Sequence, residues 1–355
     1  MTSTPLVTIA IPCLDEERHI AACLQDVFAQ DYPADRIEVL VGDGMSTDHT
    51  REILAEIAAR HPGRLRVLDN PRRLQAAAMN VMIGAARGEV IVRMDVHARY
   101  APDYVRQCVA VLDETGADNV GGAQRAAPES WFQRAVCAAL ESPLGVGGAS
   151  YRDASKEGFV DTVFLGAFRR AILESVGGYD DNAITNEDAE LNQRILGAGG
   201  KVFLSRKIVV NYVPRDSFRS LAKQYYRYGR GRARTLLKHR TFETPRPAIP
   251  FLMVVGGITL LVVPSLRRFA PLAFGLYGAA AVVEAVRVSW RHGLLLAPVV
   301  ATIFPVLHVS HGIGFAAGLA RYSLHPDWNA PGPVRPSGSN DRDASAHALP
   351  PLAKT

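Results

Sequence analysis

The sequence predicts an α/β fold, a largely parallel sheet wound with helices on both faces and followed by apolar helices. Three observations carry that expectation. Short β-branched runs alternate with helix-spaced segments through the first third of the chain. Acidic residues fall at the ends of those runs, where open α/β sheets bind their ligands. Beyond residue 215 the composition turns basic and aromatic, then strongly apolar.

The elements follow in order. Residues 6–11 are a β-branched run closed by Pro12, a first strand. Residues 17–29 place Ile20, Cys23, Leu24, Val27 and Phe28 at helical spacing. A second strand at 37–41 ends at Gly42-Asp43-Gly44, and 48–60 reads as a helix capped by Ser46 or Thr47. A third strand at 65–68 and an alanine-rich helix at 74–86 lead to residues 90–92, whose apolar run suits a buried central strand. Segments 160–164 and 202–204 have strand character. The glycine-rich residues 143–150 form either a mobile loop near an acceptor or a plain surface loop.

A chain of 355 residues supports one large domain or two smaller ones. The formal charge of +5 is compatible with nucleic acid as a partner. The basic residues, however, crowd beside apolar segments, which points to an anionic membrane surface and away from nucleic acid. Cys13, Cys23, Cys108 and Cys137 have neither zinc nor redox spacing, so reduced, buried thiols are expected. The first strand begins within a few residues of the start, an arrangement without a signal peptide.

Candidate chemistry lies at the strand ends. Asp95 and His97, one residue apart after the central strand, can share a divalent cation that holds a diphosphate, or simply form a polar turn. Asp43, flanked by glycines, can accept from a base N–H or close an Asx-turn. Asp15, Glu16 and Glu17 follow the first strand, and Arg72 and Arg73 offer planar donors to phosphates. Thr185-Asn-Glu-Asp188 fits a capping box with Thr185 at the N-cap, opening a helix that carries Leu191, Ile195 and Leu196 and stops at Gly197, Gly199 and Gly200. A helix N-terminus at that point would lower the pKa of Asp188.

Five segments in order resemble one family. Val7-Thr-Ile-Ala-Ile-Pro-Cys-Leu-Asp-Glu-Glu17, Val41-Gly-Asp-Gly-Met-Ser-Thr-Asp-His-Thr50, Asn80 to Glu89 with Arg93-Met-Asp95, Gly177-Gly-Tyr-Asp180 and Thr185-Asn-Glu-Asp-Ala-Glu-Leu-Asn192 look like family 2 glycosyltransferases of the GT-A fold. Within it, Asp95-Val-His-Ala-Arg-Tyr100 and Gly166-Ala-Phe-Arg-Arg170 are similar to the bacterial succinoglycan-type exopolysaccharide enzymes. The resemblance covers roughly the first two thirds of the chain. It implies a nucleotide-sugar site at Pro12, Asp15, Glu17, Asp43, Arg73 and Asp95, with Asp43 on the uracil of a UDP-sugar. It implies a Mn²⁺ or Mg²⁺ ion held by Asp95 and His97, where imidazole replaces the family's commoner aspartate and favours Mn²⁺. It also implies that the Glu187–Asp188 pair supplies catalysis, with Asp188 as base.

Residues 218–239 form a basic, aromatic helix suited to a membrane interface, with nucleic-acid binding as its rival reading. Gln224, Arg227 and Tyr228 share one helical face, and Gln-Tyr-Tyr-Arg-Tyr228 resembles the Q-x-x-R-W motif of membrane polysaccharide synthases. By that likeness Arg227 would stabilise a departing diphosphate, and Gln224 or Tyr228 would touch the acceptor. Three apolar stretches follow at 249–266, 269–286 and 294–319. The first two suit a hairpin turning at Arg267-Arg268, with a soluble helical hairpin as the alternative. The third, holding His308, His311 and Pro305, is expected to kink or lie at the interface.

The resulting organisation is a cytosolic catalytic domain at 1–215, an interface helix region at 216–247, a membrane domain at 248–320 and a disordered tail at 329–355. The basic flank before residue 249 places the catalytic domain on the cytoplasmic side of a bacterial inner membrane. The expected activity is inverting transfer from a UDP-hexose to a polyprenyl-linked saccharide. A processive synthase and a non-catalytic nucleotide-sugar sensor are the alternatives.

Overall fold

The computed structural model describes residues 4–146, 155–240 and 245–328. Its first part alternates β1 (Val7–Cys13), α1 (Ile20–Phe28), β2 (Ile37–Asp43), α2 (Thr50–Arg60), β3 (Leu65–Asp69), α3 (Gln75–Ala85) and β4 (Val90–Arg93). Then come β5 (Ala98–Tyr100), α4 (Tyr104–Thr115), β6 (Asn119–Gly122), β7 (Gln124–Ala126), α5 (Trp131–Leu140) and α6 (Pro143–Val146). The second half holds β8 (Gly158–Phe159), β9 (Phe164–Arg169), α7 (Arg170–Val176), α8 (Glu187–Gly197), β10 (Val202–Leu204) and β11 (Val210–Tyr212). Four long helices close the described chain: α9 (Phe218–His239), α10 (Ile249–Val262), α11 (Ala270–His292) and α12 (Ala297–Leu324).

The main sheet has strand order β3-β2-β1-β4-β9-β6-β10-β8. β3, β2, β1 and β4 are parallel, as are β6 and β10, while β9 runs antiparallel between β4 and β6. All seven residues of β2 are buried, as a central strand covered on both faces requires. Side chains of alternate parity fill two cores. Val7, Ile9 and Ile11 face α1, α2 and α4, while Ala10, Leu40 and Ile91 face α3, α7 and α8. The parallel half leaves the carboxyl ends of β1, β2 and β4 side by side.

Several local expectations change. The strand expected at 160–164 is instead β9, because Asp161 to Val163 form the approach to it and Gly166, at φ 114°, lets the strand continue through a conformation closed to other residues. The first helix begins at Ile20 rather than at residue 17. The backbone N–H groups of Asp15, Glu16 and Glu17 donate to the side chains of Ser46, Thr50 and Asp48, which holds this stretch as a loop. Neither Ser46 nor Thr47 caps α2; Asp48 accepts from the Thr50 N–H just ahead of it.

The apolar helices leave much of their surface uncovered. Leu272, Leu276, Val282 and Val283 of α11 are each more than half exposed, as are Leu252, Ile258 and Val262 of α10. A continuous apolar surface of that size marks a lipid-facing or interaction face. Length discriminates among the three helices: α10, with 14 residues, reaches only ~21 Å, short of the ~30 Å hydrocarbon core. The segments 267–292 and 294–324 are long and apolar enough to cross a membrane. α12 stays a single 28-residue helix through Pro305, so the expected kink does not break it. The basic helix is no free-standing surface helix either, since α9 packs along α12.

That packing is set by glycines. A Cβ at Gly229 would overlap the His311 carbonyl, and one at Gly314 would overlap the Tyr226 carbonyl. The two helices therefore touch backbone to backbone, as small residues allow in apolar bundles. Polar links join the α5–α6 region to α11 and α12. Ser142 donates to Glu284 at 2.5 Å, Glu141 meets His292 at 2.9 Å, and His308 Nε2 lies 2.7 Å from the Leu144 carbonyl. A carbonyl only accepts, so Nε2 carries the proton and Nδ1 accepts from the Tyr277 hydroxyl at 2.7 Å. Replacing Gly314 by leucine should lower the thermal unfolding temperature of the detergent-solubilised protein by several degrees. Gly275→Leu, at a position with open space around it, should leave it unchanged.

Candidate active site

Arg93, the last residue of β4, is almost fully buried and faces three carboxylates. Its Nε and Nη2 donate to Asp95 at 2.9 and 3.1 Å, Nη1 to Asp188 at 2.5 Å, and Nη2 to Glu187 at 3.4 Å. Asp95 also accepts from Gln75 at 3.2 Å, and its backbone N–H donates to the Tyr100 hydroxyl at 2.5 Å. One guanidinium thus joins the end of the central strand to the start of α8. Sequence reasoning passed over Arg93, although an arginine ending the run Val-Ile-Val was the available signal: a buried strand position tolerates a charge only when it is paired.

The entry to α8 departs from the expected capping box. Asn186, at φ 61°, is the N-cap and makes no side-chain cap bond. Thr185 and Asn186 spend their side chains on α9 instead, donating to the carbonyls of Arg227 and Tyr228, both at 3.0 Å. Gly231 makes room for them, since a Cβ there would lie 2.5 Å from both side chains. Asp188, two residues into α8, was expected to have a lowered pKa. Burial dominates and, with the charges of Glu187 and Asp95, pushes it up to about 7 against the pull of Arg93. A second buried network fixes α9 to the same region: Arg234 and Lys238 both bind Asp180, and Lys238, Arg194 and His239 converge on Glu190.

A cavity of about 950 Å³ runs from the strand ends to the apolar helices. Pro12, Arg73, Asp95 and His97 line its strand-end part. Glu187, Asp188, Gln224, Arg227 and Tyr228 line the middle, with Gln224 donating to the Tyr228 hydroxyl at 3.0 Å. His308, His311 and Met253 line the far end. Asp15, Glu17 and Asp43 are not on its wall. Asp15 accepts from the Thr47 N–H at 2.7 Å, and Glu17 from His49 at 2.9 Å. Asp43 is fully buried, accepting from the Ser46 hydroxyl at 2.5 Å and pairing with Arg51 at 3.1 Å. It closes the turn, and its neighbour Gly44 faces the cavity.

Asp95 and His97 likewise point to different partners. His97 Nε2 meets Glu16 at 2.8 Å, and its ring lies edge-on to that of His19 with centroids 4.6 Å apart. The donor chemistry at this rim, carboxylate and imidazole, fits a divalent cation.

Residues 8–177 match the model of the family described as Glycosyl transferase family 2. The chain is 34% identical over 319 residues to the succinoglycan biosynthesis protein ExoA of Rhizobium meliloti (strain 1021), covering 89% of this chain and 95% of that one. The chain belongs to glycosyltransferase family 2. Another relative, 30% identical over 63% of this chain and 71% of its own length, is a dolichyl N-acetyl-α-D-glucosaminyl phosphate 3-β-D-2,3-diacetamido-2,3-dideoxy-β-D-glucuronosyltransferase of Methanococcus voltae. The mannosyltransferase PcManGT of Pyrobaculum calidifontis, solved with GDP-Man and Mn²⁺, shares the fold with a TM-score of 0.60 and 23% identity over 89% of this chain and 88% of its own. The family 2 glycosyltransferase here is therefore a GT-A protein, with activity of that class.

Arg93→Met should leave three facing carboxylates without their cation. The folded-state pKa of Asp188, already raised by burial, would rise further, so the protein should lose about 3–5 kcal/mol at pH 8 and recover as the pH falls through that raised value. Unfolding temperatures measured from pH 5 to 8 check this: the gap to the native protein should narrow toward pH 5.

Proposed function

We propose that the protein is an inverting glycosyltransferase that moves a hexose from a UDP-sugar to a polyprenyl-linked saccharide during exopolysaccharide synthesis. The supporting observation is the single cavity that starts at the strand ends, passes Asp188 and reaches the apolar helices. A soluble donor enters from one end, and an acceptor carried in lipid enters from the other.

The acceptor hydroxyl gives its proton to the Asp188 carboxylate as its oxygen bonds to the anomeric carbon. The bond from that carbon to the diphosphate oxygen breaks on the opposite face, which inverts the configuration. Arg93 fixes the direction of the Asp188 carboxylate, and Arg227 lies across the cavity to meet the leaving charge. Arg73 serves the donor phosphates, and Pro12 and Gly44 border the nucleotide. Asp43 acts on the base through the turn it closes. A divalent cation held at the rim by His97, with Asp95 nearby, would supply charge neutralisation to the diphosphate when bound. Gln224 and Tyr228 contact the acceptor. α10 to α12 anchor the enzyme in the bacterial inner membrane, with the arginines of α9 keeping the catalytic domain on the cytoplasmic side.

Membranes containing the protein should transfer labelled sugar from a UDP-sugar to a lipid-extractable product one residue longer, identified by mass spectrometry. Asp188→Asn should reduce the rate by at least 10²-fold. A long polymer would identify a processive synthase, and no transfer by the native protein from any nucleotide sugar would identify a sensor. Because a base must be ionised to accept a proton, kcat/KM should fall with unit slope as the pH drops below about 7. Gly231→Ala should lower kcat with little change in KM for the donor, since it displaces Thr185 and Asn186 from α9 and with them the base.

A further inference from the structure

We propose that α12 is not a membrane span: it lies in the plane of one leaflet of a lipid bilayer, and only the hairpin of α10 and α11 enters the lipid. Both ends of the apolar region then stay on the side of the catalytic domain. The inference rests on the membrane reading of these helices and goes against composition, since segment 294–324 is long and apolar enough to cross.

Contacts at both ends of α12 lead to it. At 1.5 Å per residue its 28 residues measure ~42 Å. Upright in a bilayer, one end would stand ~30 Å or more from the catalytic domain. Neither end does. Near its start, Val300, Ile303 and Phe304 share a core with Ala135, Val136 and Ala139 of α5. In its middle, His308 meets the Leu144 carbonyl, and Gly314 and Gly318 lie against Tyr226, Arg230 and Ala233 of α9. Just past its end, the Asp327 carboxylate accepts from Arg234 Nε at 2.6 Å, and its carbonyl accepts from Asn182. The Arg234 guanidinium also lies over the Trp328 ring, 5.8 Å from its centroid. α9 is itself tied to the catalytic domain from Gln224, on Tyr212, to His239, on Glu190. α12 therefore runs alongside the catalytic domain and not away from it.

The hairpin leaves that layer and returns to it. Pro250 packs on Gly312 of α12, Gly257 faces Phe274 across the hairpin, and Tyr277 reaches His308. Glu284 with Ser142, and His292 with Glu141, fix the root of α11 to the catalytic domain. The uncovered side chains suit lipid. Residues 249–266 and 269–283 carry no charge. Thr302, Val309, Ile313 and Ala320, exposed on α12, share one helical face, and none is charged. Exposed Arg287, Trp290 and Arg291 stand at the root of α11, and exposed Arg321 stands in the last turn of α12. These residue types prefer the head-group level, so they mark that level at both ends of α12.

The arrangement has a consequence for substrate traffic. α12 lines the far end of the catalytic cavity with Leu307, His308 and His311. A lipid-borne acceptor enters sideways through the near leaflet, its product leaves the same way, and a growing polymer has no route past α12.

The test uses the full chain in membrane vesicles, with no sugar nucleotide or acceptor. The four native cysteines are buried, so a single added cysteine reports alone. Exposed Ala59→Cys marks the catalytic domain, Arg291→Cys the root of α11 and Ser323→Cys the end of α12. A membrane-impermeant maleimide, added to inside-out and right-side-out vesicles, should label all three from the same face. Labelling of Arg291→Cys or Ser323→Cys from the face opposite Ala59→Cys would overturn the proposal. Nitroxides on Thr302→Cys and Ala320→Cys, ~27 Å apart along the helix axis, should report the same depth by oxygen and nickel accessibility. Depths a leaflet apart would overturn it as well. Release of the native protein by alkaline carbonate would overturn lipid as the occupant in favour of a protein partner. The expected labelling and depths in a protein that transfers no sugar would sink the proposed reaction alone and leave the in-plane helix standing.

Discussion

A single buried guanidinium holds the catalytic geometry. Arg93 faces Asp95, Glu187 and Asp188 together, so the local charge without it would be three negatives side by side. With it, one negative pair remains in excess, and burial and mutual repulsion raise the affinity of Asp188 for a proton. Placing Arg93 at the last position of β4 means that strand pairing with β1 fixes the guanidinium, and the guanidinium fixes the helix that carries the base. The raised proton affinity of Asp188 is thus a property of the sheet register as much as of the residue itself.

Much of this was legible in the sequence, for identifiable reasons. β-Branched runs and helical spacing marked the four parallel strands because a strand buried on both faces leaves little compositional freedom. Asp95, Asp188 and Arg227, singled out from motif order, line one cavity. The antiparallel insertion of β9 between β4 and β6 was not legible, since its register depends on Gly166 adopting a positive φ. Asp43 was open to both readings, base acceptor or turn closer, and the choice depends on whether Ser46 or a ligand supplies its hydrogen-bond donors. Thr185 misled for a related reason: its hydroxyl has two possible partners, and only the proximity of α9 decides for the Arg227 carbonyl over the helix N-terminus.

The apolar helices were recognisable by composition, yet their relation to the catalytic domain was not. Hydropathy treats each segment alone, whereas α12 lies between α9 on one side and the exposed α10 and α11 on the other. His308 shows what that position achieves. Its two ring nitrogens tie α11, through Tyr277, to Leu144 at the edge of the active-site cavity. The exposed apolar helices and the cavity wall therefore share a hydrogen-bonded connection that no single segment could display.

The glycine seam between α9 and α12 has an implication for how such proteins diversify. Backbones in direct contact admit few other side chains, and α9 also carries Arg227, Tyr228 and the carbonyls that seat Thr185 and Asn186. The apolar helix that pairs with α9 is thus part of the scaffold of the cavity and not an interchangeable module. Grafting this catalytic domain onto a foreign hydrophobic tail would leave α9 without its mate, and the base without its seat.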